Sequence, residues 1–241
     1  MKYTLYILLS FTVLFTACAE KEVNSLPAGQ VYYDGALKNV MNGDLKSKKD
    51  MVTMSDMPNL YALGALAGLS GEIQVFDSQP YNSIQSEKMA IIDSSFNAKA
   101  AFLVYAQVPE WEEIEVPRPI LTMKQFEDYV EYTAEKAGID TSKPFPFLLE
   151  GYVRKINWHI VNWDPNMGSH SIAAHKNSGL NGVAVNEPVE IIGFYSNAHQ
   201  GEFTHHSSNQ HMHFTLKNRK LGGHVDDFIL GEYMTLKLPK Q

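Results

Sequence analysis

Apolar positions along the chain follow two periods, and the change between them divides it roughly in the middle. From Val31 to Met41, Ala36, Leu37, Val40 and Met41 fall at helical spacing with Gly43 as the stop, which predicts a helix. Leu60 to Leu69 is a run of small apolar residues and reads as a closely packed helix or turn. Gly71 to Asp77, bounded by Gly71 and Pro80, reads as a strand, and Ala100 to Val108 as a second. Glu110 to Pro119 is rich in carboxylates and holds Pro117 and Pro119, so an exposed connection is expected there. Thr122 with Gln125 three residues on is a helix capping box. Phe126, Tyr129, Val130, Thr133 and Ala137 mark one face of that helix, which Gly138 ends. Beyond Pro146 the pattern turns to strands: Phe147–Lys155, Ile156–Val161, Val189–Tyr195, Gln210–Leu216, Val225–Leu230 and Met234–Leu238. The reading is α+β, a mixed α/β chain with a strand-rich C-terminal half and a subdomain boundary near residues 110–123.

The N-terminus stands outside that pattern. Lys2 precedes an apolar run from Leu5 to Phe15, followed by Thr16, Ala17 and Cys18. The run is too short to span a bilayer and reads as a signal peptide over residues 1–17. Cys18, the single cysteine of the chain, follows a small residue at the cleavage point, as in a bacterial lipoprotein signal. Residues 18–30 suit a tether, and residues 31–241 form the folded domain. The expected location is the bacterial cell envelope, with membrane contact through a lipid anchor only. A lone thiol forms no internal disulfide, so the domain is stable without one. With 241 residues, 44% of them hydrophobic, the chain can bury a sizeable core. A net charge of −7 without a basic block excludes nucleic acid as an expected partner.

All nine histidines lie between His159 and His224, so the chemistry is sought in the C-terminal third. In a strand over Gln210–Leu216, His211, His213 and Thr215 share one face, and Met212, Phe214 and Leu216 point into a core. Two residues apart on a strand is a separation of ~6.6–6.8 Å, close enough for converging imidazoles to share a metal. Lys217–Lys220 reads as a turn. If it centres on Asn218-Arg219, His213 faces His224 and His211 faces Asp226, which could orient a ligand. Asn-Arg is not a favoured hairpin pair, and Gly222-Gly223 is suited to a bulge. A strand with two histidines is also what a polar sheet face looks like; His224 tips the reading toward a metal. Three neutral imidazoles with an open position suit a catalytic Zn2+ site, and imidazole also suits nickel, copper and iron.

Gln210-His211-Met212-His213-Phe214, Asn218-Arg219-Lys220 and Gly222-Gly223-His224-Val225-Asp226-Asp227-Phe228 together resemble the metal-binding motif of the α-acetolactate decarboxylase family. Upstream, Leu63 to Ile73 resembles that family's Gly-Glu-apolar strand, Pro146 to Gly151 its Phe-x-x-x-acid-Gly strand, and Ile192-Gly193-Phe194 the stretch before its histidines. The resemblance runs from about Val31 to Leu238. It implies two packed mixed or antiparallel sheets with few helices, and zinc held by His211, His213 and His224. It implies as substrate a small hydroxy-keto acid, 2-acetolactate or a similar 2-hydroxy-3-keto acid, decarboxylated to acetoin through an enediolate. Glu72 matches the family's active-site glutamate and is the candidate for proton transfer.

Two positions depart from the family pattern. His159 stands where the family has an active-site arginine and, as a hydrogen-bond donor, is the candidate to take over part of its role; Arg154, the nearest arginine in sequence, is a further catalytic candidate. The family also uses a glutamate well beyond its third histidine, whereas this sequence runs to Gln241 and Glu232 comes too early to match. His170, His175, His199, His205 and His206 are not required by the family pattern and read as solvated loop residues. A metal-binding lipoprotein without turnover and a zinc hydrolase are the alternatives to a carboxy-lyase.

Overall fold

A computed structural model describes residues 25–241. The signal peptide, Cys18 and the start of the tether lie outside the described residues. Leu26 and Gly29 bond the side chain and carbonyl of Gln107, so the chain enters the domain along the end of a core strand.

The first sheet contains β1 (Tyr32–Asp34), β2 (Lys49–Asp50), β3 (Leu60–Leu66), β4 (Glu72–Phe76), β5 (Gln79–Pro80), β6 (Asn82–Ser86), β7 (Met89–Asp93) and β8 (Lys99–Gln107). Its order is β1-β8-β3-β4-β6-β7, with β2 beside β8 and β5 beside β4. The second contains β9 (Trp111–Glu115), β10 (Phe145–Ile160), β11 (Leu180–Tyr195), β12 (Gln210–Leu216), β13 (Gly222–Leu230) and β14 (Thr235–Pro239). It runs β11-β12-β13-β10-β14-β9, and β10 also pairs with β11, so four of its strands close on themselves. Neighbouring strands are antiparallel throughout both sheets. Three α-helices complete the described residues: α1 (Leu37–Met41), α2 (Met123–Lys136) and α3 (Ile172–Lys176). Two packed, mostly antiparallel sheets with few helices is the fold class expected.

Helix α2 carries the expected capping box, and it buries Phe126, Val130 and Ala134 in the core of the second sheet. Four other expectations change. Residues 31–41 give only β1 and the short α1, since Tyr32–Asp34 pair with Leu103–Tyr105. Leu60–Leu66 is a central strand rather than a helix or turn; at Gly64 a Cβ would lie 2.1 Å from the Phe102 carbonyl, so small residues permit close pairing with β8. The acidic stretch contains β9, an edge strand on β14 whose Glu113 pairs with Lys237 at 2.9 Å. The two strands expected on either side of Lys155 are one, β10.

A third apolar layer joins the sheets: Leu63, Phe102 and Val104 of the first pack with Leu148, Ile192 and Phe194 of the second and with Phe203. Strand β4 lies against β12 and β13 across this layer, and the histidines face it.

Candidate metal centre

Strand β12 alternates as expected. Met212, Phe214 and Leu216 enter the core of the second sheet, while His211 and His213 turn to the first. His211 stacks on Phe102 of β8, ring centroids 5.7 Å apart and nearly parallel. Its Nδ1 lies 2.9 Å from the Phe203 carbonyl, and Nδ1 of His213 lies 2.9 Å from the Ile73 carbonyl. A carbonyl only accepts, so both rings donate Nδ1–H and keep the lone pair on Nε2. This is the outer hydrogen bond that fixes metal-ligating histidines.

His224 reaches the same place from β13, directly opposite His213. The hairpin turn holds Arg219 in the left-handed region at φ 61°, with Leu216 N–H bonded to the Leu221 carbonyl at 2.8 Å. The His213–His224 register is as expected, but pairing of β12 with β13 stops there. Beyond it β13 pairs with β10, so Asp226 does not oppose His211. Asp226 instead lies 2.9 Å from His159 Nδ1 and 3.7 Å from His224 Nδ1.

Ring centroids of His211, His213 and His224 are 5.0–5.4 Å apart, forming a compact triangle. Burial, reinforced by neighbouring imidazoles, pushes His211 and His213 well below the usual histidine range. Burial takes His224 to about 3, against the opposing pull of Asp226. All three are neutral near pH 7, as metal ligation requires. His211 Nε2 is buried without a hydrogen-bond partner. A divalent ion accounts for that atom, and imidazole nitrogens are the donors a zinc-type ion takes, so these residues fit a metal.

Glu72 opens β4 and is buried beside this triangle. One carboxylate oxygen accepts Val161 N–H at 3.1 Å and lies 3.8 Å from His159 Nε2; the other lies 3.7 Å from His213 Nε2. Burial raises its pKa to about 7, and nearby His159 partly opposes the rise. Lys176 on α3 pairs with Asp226 at 2.9 Å. Burial works against ionisation of Asp226, but the hydrogen bond with His159 and the nearby His224 ring prevail and hold its carboxyl well below the usual range.

A cavity of about 390 Å³ opens over the site, walled by apolar residues such as Val40, Leu69, Phe102 and Ile172. Glu72, His159, His211, His213 and His224 all line it; Arg154 does not. Arg154 is exposed, beside a register shift where β10 pairs with β13, and this removes it from the candidate site. Of the five histidines read as solvated only His206 is exposed; His170 and His199 are partly buried, stacked on Trp163 and Phe203, and two others bear on the site. His175 is buried, with its Nε2 2.7 Å from His170 Nδ1. His205 is partly buried, and its Nε2 lies 3.1 Å from His224 Nε2. With His211 and His224 it offers three ligand atoms within 4.8 Å of one another. The only signal for His205 was its place six residues before His211, because a loop has no periodicity to aim a side chain. Nothing in the pattern marked Lys176.

The family model for alpha-acetolactate decarboxylase matches residues 31–240. Among solved structures, the acetolactate decarboxylase of Bacillus subtilis subspecies spizizenii is 18% identical with a TM-score of 0.70, covering 88% of this chain and 86% of that one. The alpha-acetolactate decarboxylase of Bacillus subtilis strain 168 is 17% identical with a TM-score of 0.69 and the same coverages. A Staphylococcus aureus protein of unknown function, similar to alpha-acetolactate decarboxylase, is 17% identical with a TM-score of 0.67, covering 86% of this chain and 84% of its own. At these identities the likeness carries the fold. No curated protein matches the sequence significantly.

Proposed function

Because the chain belongs to the alpha-acetolactate decarboxylase family, we propose that it decarboxylates 2-acetolactate, or a similar small 2-hydroxy-3-keto acid, at a zinc-type centre held by His211, His213 and His224. The observation that carries this reading is a triangle of neutral imidazoles with a buried carboxyl group, Glu72, 3.7 Å from one of them. A bound divalent ion supplies a Lewis acid for the substrate's oxygens. Loss of carbon dioxide breaks one C–C bond and leaves its electron pair on the substrate, where the adjacent carbonyl takes it up as an enediolate. A proton delivered to carbon then completes acetoin. Glu72, buried 3.7 Å from the proposed ligand His213, is the carboxyl group placed to give and recover that proton. The apolar cavity walls keep bulk water from competing for it.

His159 serves Glu72 rather than the substrate carboxylate. The His159 ring is oriented by its Nδ1, 2.9 Å from an Asp226 carboxylate oxygen, and it turns Nε2 toward Glu72 at 3.8 Å. It offers no charged fork, so a charge-assisted contact of ~1.5–3 kcal/mol is missing. That corresponds to roughly tenfold to 150-fold slower turnover than a member with the arginine. The same feature favours the second reading, a metal-holding protein without turnover. Metal analysis of the purified domain combined with an acetoin assay on 2-acetolactate separates the two. Stoichiometric metal with acetoin above the spontaneous background supports the lyase; metal with background acetoin alone overturns it.

A further inference from the structure

We propose that His205 is a fourth imidazole ligand of this centre, so that the protein itself fills the position a three-histidine site leaves open. The inference rests on the metal-centre reading above and extends it to a residue outside the family's three histidines.

The spacing is that of two nitrogens on one ion. Ligands ~2.0–2.1 Å from a tetrahedral zinc are ~3.3–3.4 Å from each other. His205 Nε2 and His224 Nε2 are 3.1 Å apart. A simple hydrogen bond between these rings is the competing explanation, and it places a single proton between the two nitrogens. That proton does nothing for His211 Nε2, which belongs to the same cluster, carries a lone pair because its Nδ1–H is given to Phe203, and has no partner. One cation serves all three atoms.

The loop that carries His205 is built into the fold. Leu37 and Lys38 N–H donate to the carbonyls of Glu202 and Gly201, each at 2.7 Å, and Gly201 N–H donates to the Thr204 carbonyl at 2.8 Å. Phe203 and Thr204 are buried. The same short segment therefore orients His211 through the Phe203 carbonyl and, two residues later, presents the His205 ring. Holding both from one anchored stretch fixes their relative position, as a ligand set requires.

The consequence is a closed resting site. An added anion must displace His205 before it reaches the ion, and its apparent affinity falls by the fraction of molecules in which the ring has left.

The test uses the full chain reconstituted with cobalt(II), X-ray absorption to count imidazole ligands, and azide as the probe anion. The wild type is expected to show four imidazoles and a strong four-coordinate visible spectrum. His205→Ala is expected to show three, and to bind azide ~tenfold or more tightly. The wild-type count stands alone if the variant folds poorly. Three imidazoles in the wild type, or equal azide affinity in a folded variant, overturns this proposal and leaves the three-histidine centre intact. Absence of stoichiometric cobalt from the wild type overturns both.

Discussion

Replacing Glu72 by glutamine should raise stability and lower activity, and the stability gain should depend on pH in a defined way. Glutamine keeps the shape and the oxygen that accepts Val161 N–H, but it cannot ionise. In the wild type the folded pKa of about 7 stands above the ordinary 4.5 because of burial. The folded protein therefore holds a proton that the unfolded chain has released, and wild-type stability falls as pH rises from about 4.5 through about 7. The cost is about 1 kcal/mol at pH 5 and about 3 kcal/mol at pH 8. Metal-free Glu72→Gln should thus gain about 2–3 kcal/mol on the wild type between those pH values, and then level off. The assay is urea unfolding of both chelator-treated proteins at the two pH values. The metal-free form is essential, because a divalent ion favours the Glu72 anion and shrinks the difference. In the metal-loaded protein the same substitution should slow acetoin formation by ~10²–10⁴-fold, as for loss of a general acid–base. A stability difference independent of pH would refute the buried, proton-holding Glu72. Unchanged activity would remove it from proton transfer.

His211→Ala and His224→Ala should each abolish stoichiometric metal, losing more than the ~10–100-fold in affinity that removal of an outer hydrogen-bonding partner costs; full retention after dialysis would take that histidine out of the ligand set. Acid should destabilise the metal-free protein, because His224 stays neutral when folded down to about 3 while the unfolded ring takes a proton near 6.5. Stability is then intact above that value and is lost as pH falls, by ~2 kcal/mol at pH 5 from this residue alone, which denaturant titrations at pH 7.5 and 5 will read. Cys18→Ser should release the protein from membranes in fractionated cells if the lipid anchor proposed for it is correct, and unchanged membrane association would reject that anchor.

Much of the site was legible because it depends on strand periodicity. The alternation of His211 and His213 on β12, and their turn-length distance from His224, give the observed His213–His224 pairing from spacing alone. The same logic misplaces Asp226, because β13 leaves β12 at that point for β10. A Cβ at Gly223 would lie 2.6 Å from the His159 carbonyl, so the close approach of the two strands there requires glycine. Leu60–Leu66 escaped for the opposite reason: a short run that is apolar on both faces has no period, and only its partners β4 and β8 make it a strand.

The remainder was illegible for a deeper reason. The groups that set the tautomers of His211 and His213 are the backbone carbonyls of Phe203 and Ile73. Every residue has a carbonyl, so no residue type marks these acceptors. They come from a loop and from the opposite sheet, and only tertiary packing selects them. It follows that the centre is a property of how the sheets meet: the Ile73 carbonyl belongs to β4, while His213 belongs to β12. A ligand whose orientation depends on the facing sheet should loosen when that contact loosens. Metal affinity is then linked to sheet packing, and an ion bound only by the folded arrangement strengthens the packing in return.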